Sequence, residues 1–186
     1  MAEVTRKVIA IVGPMAAGKN YICSQMEKEG WAVIDADILV HEAIEIARDR
    51  ILEAFSPYAG QQNLKITRTD GSIDRHALGK LLFSNPELLT IQESIVYPII
   101  TDKIEAFINE HEKIIINATV LYKTPGLMNR CEKILYVTAP FWIRLRRARR
   151  RDQLSFRQIL SRFHAQRNLF KEYQKTGIPL ETIKNS

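Results

Sequence analysis

A glycine and lysine loop between a strand and a helix constrains this chain more than any other feature. Residues 7–12 read Lys-Val-Ile-Ala-Ile-Val, a β-branched run of the kind found in strands buried on both faces. Gly13-Pro14-Met15-Ala16-Ala17-Gly18-Lys19-Asn20 follows at once, and a helical pattern then runs to a stop at Gly30. Two glycines and a lysine at this spacing match the Walker A pattern. The chemistry behind the pattern is a backbone bent tightly enough to aim several N–H groups at phosphate oxygens. A helix N-terminus adds positive partial charge there. The expected phosphate site is Gly13, Ala16, Ala17, Gly18, Lys19, Asn20 and Tyr21, with Lys19 reaching the terminal phosphates. Asn20 stands where a hydroxyl residue usually ligates Mg²⁺. Its amide oxygen is a hard donor too, so Asn20 is the expected metal ligand.

The rest of the chain alternates in the same rhythm. Short apolar runs at 31–34, 114–116, 134–137 and 181–183 read as further strands. Helical patterns cover 38–55, 75–83, 86–110, 125–130, 141–151 and 156–173. In the first of these, Leu39, Ala43, Ile46, Ala47 and Ile51 form one apolar stripe. Pro57, Gly60 and Asp70-Gly71 break the rhythm, with a small hairpin expected in 56–72. Ser84 or Asn85 can cap the helix that starts at Pro86, and Pro98 should kink or split it. Strands alternating with helices imply α/β architecture: a parallel sheet covered on both faces, a three-layer fold. Residues 57–111 look like a helical insertion, and 140–170 like an arginine-rich helix with a lid, within a single domain over 1–186.

Asp35-Ala36-Asp37 closes the second strand, where ligands of parallel α/β sheets bind. A carboxylate there can take the proton of an acceptor hydroxyl, which makes Asp37 a candidate base. The plainer possibility is that Asp37 only caps the helix beginning at Ile38.

The 186 residues carry a net charge of +6, which on its face suggests a nucleic-acid binder. That average conceals a division. Between Pro140 and Lys171 stand nine Arg, one Lys and a single acid, a segment of +9, whereas the remainder is −3. Six of those arginines, at 144, 146, 147, 149, 150 and 151, crowd one helix and cannot all face one ligand. Arg147 and Arg151 are four apart and share a face, with Arg144 three before. Trp142 is expected to pack beneath this helix and Trp31 in the core. Polyphosphate is the better fit than nucleic acid for such forks beside a phosphate loop. No apolar run approaches the ~20 residues of a membrane span, and 1–7 has no secretory pattern. Cys23 and Cys131 are too few for a disulfide framework. His41, His76, His111 and His164 lack metal spacing. A cytoplasmic protein is expected.

These residues together resemble the dephospho-coenzyme A kinase family over nearly the whole chain. The resemblance rests on the phosphate loop, on Val33-Ile34-Asp35-Ala36-Asp37, and on the stretch 73–83 that begins Ile73-Asp74-Arg75-His76. It continues in Asn85-Pro86-Glu87, Tyr97-Pro98, Arg151-Asp152 and Gln166. The likeness implies ATP-dependent phosphorylation of the ribose 3′-hydroxyl of dephospho-coenzyme A, with Mg²⁺. It implies Asp37, Lys19 and Arg147 as catalytic residues and Arg151 as a second lid arginine on ATP. Asp35, Asp37, Arg75 and Tyr97 would face the acceptor, and the insertion would be the coenzyme A domain. Asn20 in place of Ser or Thr, and Lys123 where the family has an acid, keep a non-catalytic nucleotide binder in view. A kinase for another small acceptor and a nucleic-acid-binding module also compete with the leading function.

Overall fold

The structure is a computed structural model that describes residues 6–83, 85–152 and 155–185. Five strands form one sheet: β1 (Lys7–Val12), β2 (Ala32–Asp35), β3 (Lys113–Ala118), β4 (Lys133–Thr138) and β5 (Leu180–Lys184). Their order is β2-β3-β1-β4-β5 and every pairing is parallel. Alternation of strand and helix leaves no tight hairpin between neighbours, so each connection crosses over through helices. The central strands bury both sets of alternate residues. On one face Ile9, Ile11, Ile115, Leu135 and Val137 pack with Cys23 of α1 (Lys19–Lys28), and Ile22, Met26 and Trp31 close the cluster. On the other, Tyr136 meets Phe170 and Tyr173 of α9 (Leu169–Gln174) edge to face. Helices therefore cover both sides of a parallel sheet, the expected three-layer α/β fold.

The chain divides into two compact units, one of residues up to Ala36 and from Ile104 onward, the other Asp37–Lys103. The sheet belongs wholly to the first. The second holds α2 (Ala36–Ile46) from Asp37 on, α3 (Arg48–Gln61), α4 (Arg75–Phe83) and most of α5 (Pro86–Glu110). Its limits begin twenty residues before the 57–111 segment expected from composition and end eight before it.

Several local expectations change. The single helix over 38–55 is two helices meeting at Ala47, whose ψ of 15° departs from helical geometry. The break rephases the apolar stripe: Leu39, Ala43, Ala47 and Ile51 are buried, but Ile46 is exposed. The second of the two helices does not end before Pro57. Burial of Phe55 and Ala59 carries it one turn past the proline to Gln61, despite the lost N–H. Likewise α5 runs through Pro98 as one helix with Ile95, Ile100 and Ile104 buried on either side. Its cap is Asn85, whose Oδ1 accepts from Glu87 N at 3.0 Å; Ser84, the other candidate, lies outside the described residues. The expected hairpin contracts to one antiparallel bridge, Thr67 with Ile73, around the Asp70-Gly71 turn. The helix over 156–173 is also two, α8 (Phe156–Ala165) and α9, separated at Gln166.

The buried thiols are inert. Burial raises Cys23 and Cys131 to about 12 each, so neither supplies a thiolate at neutral pH.

Candidate functional site

Residues 13–18 leave the carboxyl end of β1 and wrap into α1. One glycine here is required by close backbone approach and the other by its left-handed backbone. A Cβ on Gly13 (φ +148°) would stand 2.1 Å from the Val137 carbonyl oxygen, and one on Gly18 (φ +98°) 1.8 Å from the Asn185 side chain. Ala16 also adopts a left-handed φ of 61°, a conformation that costs a non-glycine residue energy and needs its surroundings to hold it.

Those surroundings come from far along the chain. Met15 is gripped at both ends of its backbone: its N–H donates to Gln166 Oε1 at 2.7 Å, and its carbonyl accepts from Arg144 Nε at 2.9 Å. The Arg144 guanidinium lies 4.1 Å over the Phe163 ring, and its burial lowers the pKa from the usual arginine value. Met15 itself packs with Leu145, Ala148 and Ile159, tying the loop to α7 (Phe141–Asp152) and α8. At the other end, the Ala17 carbonyl accepts from Arg147 Nη1 at 3.3 Å and from Asn185 Nδ2 at 3.0 Å. Arg147 Nη1 also reaches the Asn185 carbonyl at 3.4 Å.

Lys19 is only 9% exposed. Its Nζ donates to the Gly13 carbonyl and to Thr119 Oγ1, both at 3.1 Å, which holds the ammonium at the loop mouth. A cavity of about 380 Å³ opens there, lined by Ala16 to Asn20 and by Arg147, Arg150 and Arg151. Four cationic side chains stand around backbone amides at a helix start, a chemistry that suits an anionic, phosphate-bearing ligand. Of the residues expected here, Ala16, Ala17, Gly18, Lys19, Asn20, Arg147 and Arg151 line this cavity, and Gly13 anchors Lys19. Tyr21 is exposed and its N–H is engaged by the Gly18 carbonyl, so it offers the cradle no backbone donor.

The arginine helix sorts itself by its geometry. Leu145 and Ala148, three apart, turn inward, and Phe141, four before Leu145, meets Phe163 at 5.7 Å although 42% of it is exposed. Trp142 is one residue, 100°, away from that stripe. It is 74% exposed, with only an edge contact to Phe141, which corrects the expectation that it packs beneath the helix. Arg144 contacts the loop and Arg147, Arg150 and Arg151 line the cavity, while Arg146, Arg149, Arg150 and Arg151 are all solvent-exposed.

Asp35 ends β2 directly beside Asn117 of β3. Asn117 Nδ2 donates to Asp35 Oδ2 at 2.7 Å and to Asn20 Oδ1 at 3.1 Å. Asp37, Arg75 and Tyr97 lie in the second unit. Asp37 is exposed in the first turn of α2; because that helix begins at Ala36, Asp37 is not its cap. Arg75 is exposed at the start of α4, and Tyr97 is half-buried on α5. Sequence reasoning missed Thr119, Asn117, Arg144's backbone contact and Asn185. It noted Gln166 without assigning it a role, and only its polarity at a helix end hinted at one.

Comparison with known proteins converges on one family. The family model described as dephospho-CoA kinase matches residues 7–181. A dephospho-CoA kinase of Treponema pallidum is 33% identical over 183 residues, 96% of this chain and 86% of the relative. Among solved structures, TT1252 from Thermus thermophilus superposes with a TM-score of 0.77 at 25% identity, covering 97% of this chain and 89% of that one. The dephospho-CoA kinase from Campylobacter jejuni shares the fold at a TM-score of 0.61 and 23% identity, covering 98% and 89%. Among the described residues no helix is long and apolar enough to cross a membrane. With its phosphate loop, its all-parallel sheet and a family match over nearly its full length, the chain belongs to the dephospho-CoA kinase family.

Proposed function

We propose that the chain transfers the γ-phosphoryl group of ATP to the ribose 3′-hydroxyl of dephospho-coenzyme A. The observation that carries this reading is the cradle at the phosphate loop, where Lys19, Arg147, Arg150 and Arg151 surround the Ala16–Asn20 backbone in one cavity. Phosphoryl transfer asks little covalent chemistry of a protein, so positioning and charge neutralisation carry most of the rate. Lys19 and the loop amides bind the β- and γ-phosphates. Arg147 and Arg151 close over them, and Asp37 accepts the proton of the 3′-hydroxyl. The Asp37–Lys103 unit, with Arg75 and Tyr97, binds the acceptor; the basic segment finds its counter-charge in the phosphates of both substrates.

Mg²⁺ fits the donors present. Asn20 Oδ1 and Asp35 are hard oxygens, drawn together at one end of the loop by Asn117 Nδ2. Among the described residues no group of three or more His, Cys, Asp or Glu could form an all-protein metal cage. That suits an ion which keeps its waters and binds largely through substrate phosphates. Asn20 would hold it, with Asp35 behind; when bound it neutralises charge on the phosphate oxygens.

A coupled ADP-release assay with dephospho-coenzyme A tests the reading, run beside nucleoside and sugar acceptors. Turnover with dephospho-coenzyme A alone is the expected result. Turnover no faster than that of the Asp37→Asn variant would overturn it. In the same assay Arg147→Lys is expected to raise KM for ATP about tenfold or more, because a point charge replaces a fork that donates to two carbonyls and faces the phosphates. An unchanged KM would remove Arg147 from the ATP site.

A further inference from the structure

We infer that Asn117 is a positioning residue that sets the polarity of the cation-holding end of the site. This rests on the reading of residues 13–20 as the ATP phosphate loop. Asn117 sits at the fifth position of its strand, directly after three isoleucines, and is 3% exposed, in register with Ile11 on one side and Asp35 on the other.

The argument is one of donors and acceptors. A carboxylate only accepts, so the end of the Asn117 amide that meets Asp35 Oδ2 at 2.7 Å is its NH₂. The same nitrogen lies 3.1 Å from Asn20, which must then answer with its oxygen. Asp35 thus fixes Asn117, and Asn117 fixes which end of the Asn20 amide faces the strand ends. A hydroxyl at position 20 would rotate to suit its partners; an amide has two unlike ends, and a neighbour must choose between them.

One atom is left over. Asn117 Oδ1 is buried and meets no donor among the described residues. An unpaired buried carbonyl weakens a fold, and Asn in the middle of an isoleucine strand adds nothing to the core. The fold bears that cost because the other end of the amide, the NH₂, is committed to Asp35 and Asn20. Asn117 then acts through Asn20 and touches no reacting atom. It is held by the same strand end that places Thr119 against Lys19, so β3 supports the lysine and the metal ligand together.

Mn²⁺ binding to the full-length protein with ADP, read by electron paramagnetic resonance of the free ion, tests this. Asn117→Leu is expected to weaken Mn²⁺ binding about ten- to a hundred-fold, as loss of an outer-shell partner does. ADP affinity measured in EDTA stays unchanged. Unchanged Mn²⁺ affinity, or an equal loss of ADP affinity in EDTA, would overturn the inference and leave Asn117 a packing residue. A second measurement does not depend on the variant's folding. Adding Mg²⁺ to the wild-type ADP complex should shift the Asn117 side-chain amide resonances in a ¹⁵N–¹H spectrum. Resonances that do not move would overturn it as well. Failure of the wild-type protein to bind ADP at all would instead overturn the phosphate-loop reading, and this inference with it.

Discussion

Asp37→Asn is expected to lower kcat by about 10²- to 10⁴-fold, the range lost when a positioned proton acceptor is removed. The substitution keeps the size and the hydrogen-bonding shape of the side chain and removes its ability to take the 3′-hydroxyl proton. KM for ATP should not change, because every residue assigned to the phosphate cradle belongs to the other compact unit. Stability should fall only slightly. Asp37 is exposed, and in the first turn of α2 its charge gains from the helix dipole by about 0.3–1 kcal/mol. That small gain is also the rival explanation for an acid at this position. The two separate cleanly in one experiment. A catalytic Asp37 shows a collapsed kcat with an almost unchanged melting temperature; a helix-terminus charge shows a slightly lower melting temperature with kcat intact. ADP release at saturating ATP and dephospho-coenzyme A, with a thermal melt of the same sample, measures both.

The parts of this molecule legible in its sequence are those determined over short distances. The β-branched run at 7–12, the loop at 13–20 and the Asp35-Ala36-Asp37 turn each carry their signal within eight residues. Periodicity located each of the five strands among the described residues, though it stopped β3 at Ile116. The reason is instructive: Asn117 looks like the end of an apolar run, and only pairing with β2, some eighty residues away, shows it to be a buried member of the strand. Helix breaks were hidden for the same reason. Nothing local marks the division of 156–173 at Gln166, but its side chain is committed to Met15 N, 151 residues earlier. Asn185 reaches Ala17 across 168 residues. Composition counts the six arginines between 144 and 151 as equal. The structure separates them: Arg144 reaches inward to the Met15 carbonyl, Arg147, Arg150 and Arg151 line the cavity, the last two while still exposed, and Arg146 and Arg149 are exposed and do not line it.

Lys19→Met is expected to lower kcat/KM by about 10²–10³, the loss typical of one preorganised group that stabilises developing charge. The fold should survive. At 9% exposure the ammonium is held out of water, which favours its replacement by a neutral chain of similar length. Against that, Met leaves the Gly13 carbonyl and the Thr119 hydroxyl without their 3.1 Å donor. Each unmade hydrogen bond costs about 1 kcal/mol, and desolvating a hydrogen-bonded ammonium costs a similar few. The opposing terms nearly cancel, so the melting temperature should move by only a few degrees. Lys19→Arg is not a rescue. Its planar fork cannot occupy the point between a loop carbonyl and a strand-end hydroxyl that a compact ammonium fills. Met and Arg variants that both fold, bind dephospho-coenzyme A and fail with ATP would confirm that Lys19 acts on the phosphates. A Met variant that unfolds would show instead that the Gly13 and Thr119 contacts are what the lysine is kept for, because they fasten the loop to the end of β3.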